Sequence, residues 1–282
     1  MAVSTRMITI ELACLAIVAL YLAAALARVE DRAVYLRRFV LLVAASWIAE
    51  DSCIRLYGFY SYHAGWWPFV DQVPLPIVII WPVVILSAGE LAGCLLRPGP
   101  LSTSLAGGAT VLSDAALIEP VAVRAGLWTW SEPGFFGVPI IGVLGWGLFA
   151  AVCLALFARG QRRGAPTLVD ELPVLLGAPP GVHAALVALW WAGLRWLTLP
   201  LPGWPAAALA WGCSLALVVL ALRSRARRRV PLAALLTRVP AAGFFFVLLA
   251  LHGRGDRALV AYALAFAPPY LALIDYRRLI RR

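Results

Sequence analysis

Residues 50–62 read EDSCIRLYGFYSY, and residues 119–130 read EPVAVRAGLWTW. The second stretch repeats the plan of the first. Glu50 is followed five residues later by Arg55, and Glu119 by Arg124. Tyr60 and Tyr62 stand two and four residues after Gly58, as Trp128 and Trp130 do after Gly126. Further on, VPLPIVIIW (73–81) and VPIIGVLGW (138–146) each carry a Trp, Trp81 and Trp146, seven residues after the Pro. Each copy begins near the end of one long apolar run and finishes inside the next, so each unit is a helix, an aromatic loop and a returning helix. A duplicated pair of membrane helices commonly places the functional centre between the halves, which gives Glu50 and Glu119 equivalent positions.

With 63% hydrophobic and 13% charged residues and a mean hydropathy of +0.88, the chain carries more apolar surface than a soluble core could hide. The fold class is therefore all-α, a polytopic membrane helical bundle. Nine candidate spans lie at roughly 8–27, 35–57, 73–95, 101–120, 137–158, 181–200, 205–222, 231–251 and 258–276, each near the ~20 residues that cross hydrocarbon as a helix. The count is eight or nine, because Pro200, Pro202, Gly203 and Pro205 crowd the junction of the sixth and seventh. We read 1–282 as a single domain, with repeat units at about 40–95 and 101–158 and supporting helices over 160–282.

All 24 basic residues are arginines, and they are unevenly placed. Arg28, Arg32, Arg37 and Arg38 follow the first span, Arg97 the third, Arg159, Arg162 and Arg163 the fifth, and Arg223 to Arg229 the seventh. Arg277, Arg278, Arg281 and Arg282 close the chain. These segments share one side of a nine-span bundle, so the positive-inside rule puts the amino terminus outside and the carboxyl terminus in the cytoplasm of a bacterial or archaeal cell. Both aromatic loops then face outward. Arg6 and the small residues Ala23 to Ala27 around the first run also fit a signal peptide; we read a retained helix, since removal would disturb the charge pattern.

The net charge of +10 is accounted for by topology and anionic lipid, so nucleic acid is not an expected partner. Cys14, Cys53, Cys94, Cys153 and Cys213 are dispersed and offer neither a disulfide framework nor metal spacing. Three scattered histidines and the absence of Asp-rich, GxGxxG or Walker motifs disfavour metal, diphosphate and nucleotide chemistry.

Acids inside apolar spans are costly and mark functional candidates. Glu50 lies seven residues before Tyr57, or ~10 Å below the outer end of its helix, and Asp114 lies at a comparable depth in the fourth span. Asp114 and Glu119 are five apart, some 140° around a helix, so both cannot point squarely at one small site. We expect Glu50 and Asp114 to face a pocket, with Glu119 above it paired to Arg124 or Arg55. The alternative is that all these acids are structural, pairing with Arg55 and Arg124 to lock the helices together. Tyr57, Tyr60, Tyr62, Trp128 and Trp130 could equally form an interfacial aromatic belt. The matched spacing of Tyr60/Tyr62 and Trp128/Trp130, however, suits a pocket whose ring faces stabilise a carbocation.

At these residues a resemblance enters. DAALIEPVAVRAGLWTWSEPGFFGVPIIGVLGW (114–146), with EDSCIRLYGFYSY and VPLPIVIIW, resembles the integral-membrane carotenoid biosynthesis proteins that include γ-carotene 1′,2′-hydratase and bisanhydrobacterioruberin hydratase. It covers the amino-terminal half, while 160–282 matches only as generic membrane helices. The resemblance implies a carotenoid or other polyisoprenoid substrate dissolved in the bilayer, and water added to the terminal 1,2 double bond of an acyclic (ψ) end. It implies no cofactor. Glu50, Asp114 and Glu119 become the candidate acids, with Tyr60, Tyr62, Trp81, Trp128, Trp130 and Trp146 as pocket wall and Tyr57 beside them. The sequence departs from the family pattern near Gly142, where an Asn is expected after Gly-Val-Pro.

That departure keeps other outcomes open. Protonation of a trisubstituted alkene by a buried acid, whose charged form a low dielectric disfavours, serves hydration and cyclisation alike. A membrane cyclase of carotenoid ends is therefore an alternative. So is a non-catalytic carotenoid or lipid carrier, whose acids merely pair with arginines.

Overall fold

Local capping sets where the long helices begin and end. Asp31 accepts a hydrogen bond from the Val34 amide (2.9 Å) and opens α2 (Arg32–Tyr57), which stops where Gly58 takes a left-handed conformation, φ 64°. Thr167 and Asp170 form a capping box that opens α6 (Leu168–Trp191). Asp256 caps α10 (Arg257–Leu264) through the Leu259 amide. The remaining helices are α1 (Thr5–Leu26), α3 (Leu75–Leu95), α4 (Pro100–Arg124), α5 (Ile140–Gly160), α7 (Gly203–Ser224), α8 (Leu232–Leu236), α9 (Val239–His252) and α11 (Ala267–Leu273). They are taken from a computed structural model that describes residues 5–95, 99–160, 166–192, 198–224 and 230–274. Arg97, Arg162, Arg163, Arg225, Arg227 to Arg229 and the four carboxyl-terminal arginines, on which the expected orientation rests, lie outside the described residues.

The protein is a helical membrane bundle, but its spans differ from the expected set. Among the described residues, seven helical segments are long and apolar enough to cross a membrane: α1, α3, α4, α5, α6, α7 and the stretch Leu232–His252. The 26-residue α2 is long enough but carries Arg32, Arg37, Arg38, Glu50, Asp51 and Arg55 along its length. The ninth expected span is shorter, Arg257–Leu273, and changes helix at Ala265, ahead of Pro268 and Pro269. The sixth was expected at 181–200, yet its helix starts at Leu168, because the capping box fixes the first turn there and Pro179 and Pro180 are carried inside the helix.

The tightest packing is between α4 and α5. A Cβ on Gly108 would lie 2.7 Å from the Gly147 carbonyl oxygen, so only a bare backbone lets the two helices approach this closely. This places the returning helix of the second unit against its outgoing one. Two short antiparallel ladders lie between helices: β1 (Tyr60–Tyr62) with β4 (Trp128–Trp130), and β2 (Phe69–Val70) with β3 (Val73–Pro74). The first ladder joins the two aromatic loops directly and holds them on one face of the bundle.

Candidate active site

The β1–β4 register is Tyr60 opposite Trp130, Ser61 opposite Thr129 and Tyr62 opposite Trp128. Because side chains alternate along a strand, the outer members of each triplet fall on one side and the central hydroxyls on the other. Ser61 and Thr129 stand 3.3 Å apart on that second side. On the first side Tyr60 meets Trp130 (ring centroids 4.7 Å) and Tyr62 meets Trp128 (5.8 Å). The antiparallel pairing thus crosses the two copies, the first aromatic of one lying against the second aromatic of the other.

These four rings point at the two glutamates. Glu50 is buried in α2; its Oε2 accepts hydrogen bonds from the hydroxyls of Tyr60 and Tyr62, the latter at 3.0 Å, and its Oε1 accepts one from Trp81 Nε1 at 3.1 Å. Glu119, 2% exposed in α4, receives the indole N–H groups of Trp128 (2.7 Å) and Trp130 (2.8 Å) on its Oε2. Trp146 lies against Trp81 at 4.4 Å between ring centroids. Each glutamate is therefore held by the two alternate aromatics of its own loop, and Glu50 also by the Trp of its own returning helix. Burial, followed by the charge of Glu50, pushes the phenols of Tyr60 and Tyr62 well above their ordinary value, so both keep their protons.

Both carboxyls open onto one cavity of about 350 Å³. Its wall includes Tyr57, Cys53 and Ala49 from α2, the four loop aromatics, Trp81, Trp146 and Gly142, and Phe244 and Phe245 from α9. The lining is almost wholly apolar apart from the two acids and the tyrosine hydroxyls. Asp51, Asp71, Glu90, Asp114 and Glu171 each pair with an arginine, whereas among the described residues neither Glu50 nor Glu119 has a basic partner.

Three expected placements are corrected. Asp114 does not line the cavity: it pairs with Arg238 and accepts the Tyr270 hydroxyl at 3.0 Å, while Arg238 also donates to Ser87 Oγ at 2.6 Å. The five-residue offset admits only one of Asp114 and Glu119 to the site, and it is Glu119 that enters. Arg124, expected beside Glu119, instead donates to the His252 carbonyl (3.3 Å). Arg55 binds Asp51 (2.7 Å) and Asp71, and Gln72 together with Arg55 holds the Asp71 carboxyl below the usual carboxylate range.

Sequence reading also missed partners. His183 of α6 bridges Ser52 Oγ (2.7 Å) and the Tyr57 hydroxyl (2.8 Å), fixing the rim of the cavity. Nothing in the local sequence pairs a lone histidine with residues more than a hundred positions away. Arg238 was equally hidden, although an arginine inside the expected span 231–251 was a signal that some acid must meet it. Among the described residues, no three His, Cys, Asp or Glu side chains gather as metal ligands would.

The chemistry open to this arrangement is proton transfer. Two carboxyls without basic partners face one water-poor space, and aromatic faces surround the place where positive charge could develop. Comparison with known proteins bears on what that space holds. Residues 7–213 match a family model described as carotenoid biosynthesis protein. The chain is 29% identical over 160 residues to a bisanhydrobacterioruberin hydratase from Haloarcula japonica, an alignment covering 50% of this chain and 55% of that protein. The match thus spans little more than half the length of that relative. No solved structure matches.

Proposed function

Since the chain belongs to the carotenoid biosynthesis protein family, we propose that it adds water across the terminal isopropylidene double bond of an acyclic carotenoid end, giving a tertiary alcohol. The observation that carries this reading is the pair Glu50 and Glu119, each hydrogen-bonded by neutral donors alone among the described residues and both lining one aromatic cavity. A proton from one carboxyl forms a C–H bond with the alkene π pair and leaves a tertiary cation. Ring faces of Tyr60, Trp130, Trp81 and Trp146 stabilise that charge without trapping it. Water then forms the C–O bond and loses a proton to the second carboxyl, so the reaction calls for no cofactor. The wall continues through Val187 and Trp191, both exposed on α6, which suits lateral entry of a lipid-dissolved polyene.

The name of the Haloarcula japonica relative supports hydration. Intramolecular capture, giving a cyclised end, is the second reading. It is favoured by Gly142, which lies under the Trp130 ring and offers no side-chain amide to hold water where the family pattern expects an Asn. The test is expression in a host that makes acyclic carotenoids, with pigments resolved by mass. Hydration adds the mass of one water and incorporates oxygen from labelled water, whereas cyclisation leaves the mass unchanged. Unaltered pigment would favour the carrier reading.

A further inference from the structure

The two carboxyls look equivalent by position, but their hydrogen-bond partners differ in kind. A tyrosine hydroxyl can donate or accept; an indole N–H only donates. Resting on the proposed hydration, we infer that Glu50 is the proton donor to the alkene, and that Glu119 is the carboxylate that faces the cation and takes the proton from the attacking water.

The partners of Glu50 allow it to hold a proton and to lose it. When Glu50 is ionised, Tyr60 and Tyr62 both donate to Oε2. When it is protonated, Tyr60 can receive the carboxyl hydrogen and turn its own toward the Glu50 main-chain carbonyl, 3.4 Å from the same hydroxyl. Every polar group stays paired in both states, so the change of protonation needs only the rotation of a hydroxyl. Glu119 has no such freedom. The indole hydrogens of Trp128 and Trp130 converge on its Oε2 and cannot be turned away. A hydrogen on that oxygen would confront at least one of them, so a proton taken from the attacking water is confined to Oε1.

The cycle balances without an outside reagent. Glu50 gives its proton to the alkene and becomes a carboxylate. Water supplies the oxygen, and the proton released as the C–O bond forms goes to Glu119. The pair has then kept one proton in total, and its return from Glu119 to Glu50 restores the starting state.

Deuterium exchange separates the two roles. Membranes bearing each variant are incubated in heavy water with an acyclic carotenoid whose isopropylidene ends are intact, and recovered substrate and product are read by mass. Glu119→Gln should lower hydration about 100-fold. Its recovered substrate should still gain deuterium at C2, the alkene carbon that takes the proton, because Glu50 can deliver a deuteron there and reclaim the hydrogen of the same carbon from the cation. Glu50→Gln should show neither hydration nor exchange. Exchange in Glu50→Gln, or its loss in Glu119→Gln, overturns the assignment. Wild-type hydration by both variants would instead remove the acid-catalysis reading beneath it. If a glutamate variant fails to accumulate in the membrane, ring-preserving variants decide: Trp130→Phe should lose hydration and keep exchange, and Tyr60→Phe should lose both. The reverse pattern overturns the proposal.

Discussion

Replacing Gly142 with alanine puts a methyl group into a space the Trp130 ring already occupies. The added Cβ would stand 2.5 Å from Cη2, 2.8 Å from Cζ2 and 3.0 Å from Cζ3 of that ring. Carbon atoms rest at about 3.5–4.0 Å, so the indole must retreat by about 1 Å. It has little room, because Tyr60 lies 4.7 Å from it and its Nε1 is bound to Glu119 at 2.8 Å. A retreat of that size takes the N–H out of hydrogen-bonding range. A hydrogen bond to a charged group is worth about 1.5–3 kcal/mol, and overpacking costs about 1–3 kcal/mol. At about 1.4 kcal/mol per factor of ten, pigment conversion should fall at least roughly tenfold. The thermal midpoint of the detergent-solubilised protein should fall too, by about 2–4 °C for each kcal/mol lost. Gly93→Ala is the matched control: a Cβ there meets nothing within 4 Å, and neither quantity should drop. A Gly142→Ala protein with wild-type conversion, an unchanged midpoint and unaltered tryptophan fluorescence would refute both the close contact and its link to Glu119.

Three further outcomes are expected, two from the structure and one from the placement of the arginines in the sequence. Asp114→Asn leaves Arg238 buried without its charge partner and should cost about 3–5 kcal/mol, seen as reduced accumulation in the membrane; Asp114→Leu combined with Arg238→Met should recover most of it. The raised phenol values of Tyr60 and Tyr62 make their contribution to stability complete below about pH 10, where unfolded tyrosine stays neutral, and progressively lost above it. Thermal midpoints measured from pH 7 to 11 should show that alkaline fall, and the Tyr60→Phe/Tyr62→Phe protein should show a smaller one. For topology, we propose that reporters fused after Arg163 or Arg229 read as cytoplasmic and one in the Trp66 loop as external, and reversed signals would overturn that orientation.

The sequence by itself determined the membrane bundle, because hydropathy over ~20 residues is a local quantity, and it determined that Glu50 and Glu119 hold corresponding places, because repeats are visible as spacing. It also named every aromatic that touches them. It misplaced one span: α6 starts at Leu168, where a capping box fixes its first turn, and not at residue 181. Only the tertiary structure decided which acids share the cavity. Depth along a helix is readable from residue number, but the direction a side chain faces depends on what surrounds the helix. Arg238 and Tyr270, more than a hundred residues downstream, draw Asp114 away, and the pairing of the two loops brings Glu50 and Glu119, each held by the aromatics of its own loop, to one cavity. The difference between the two carboxyls was likewise written in the sequence as Tyr-x-Tyr against Trp-x-Trp. It acquired meaning only when the fold put hydroxyls on one acid and indole N–H groups on the other.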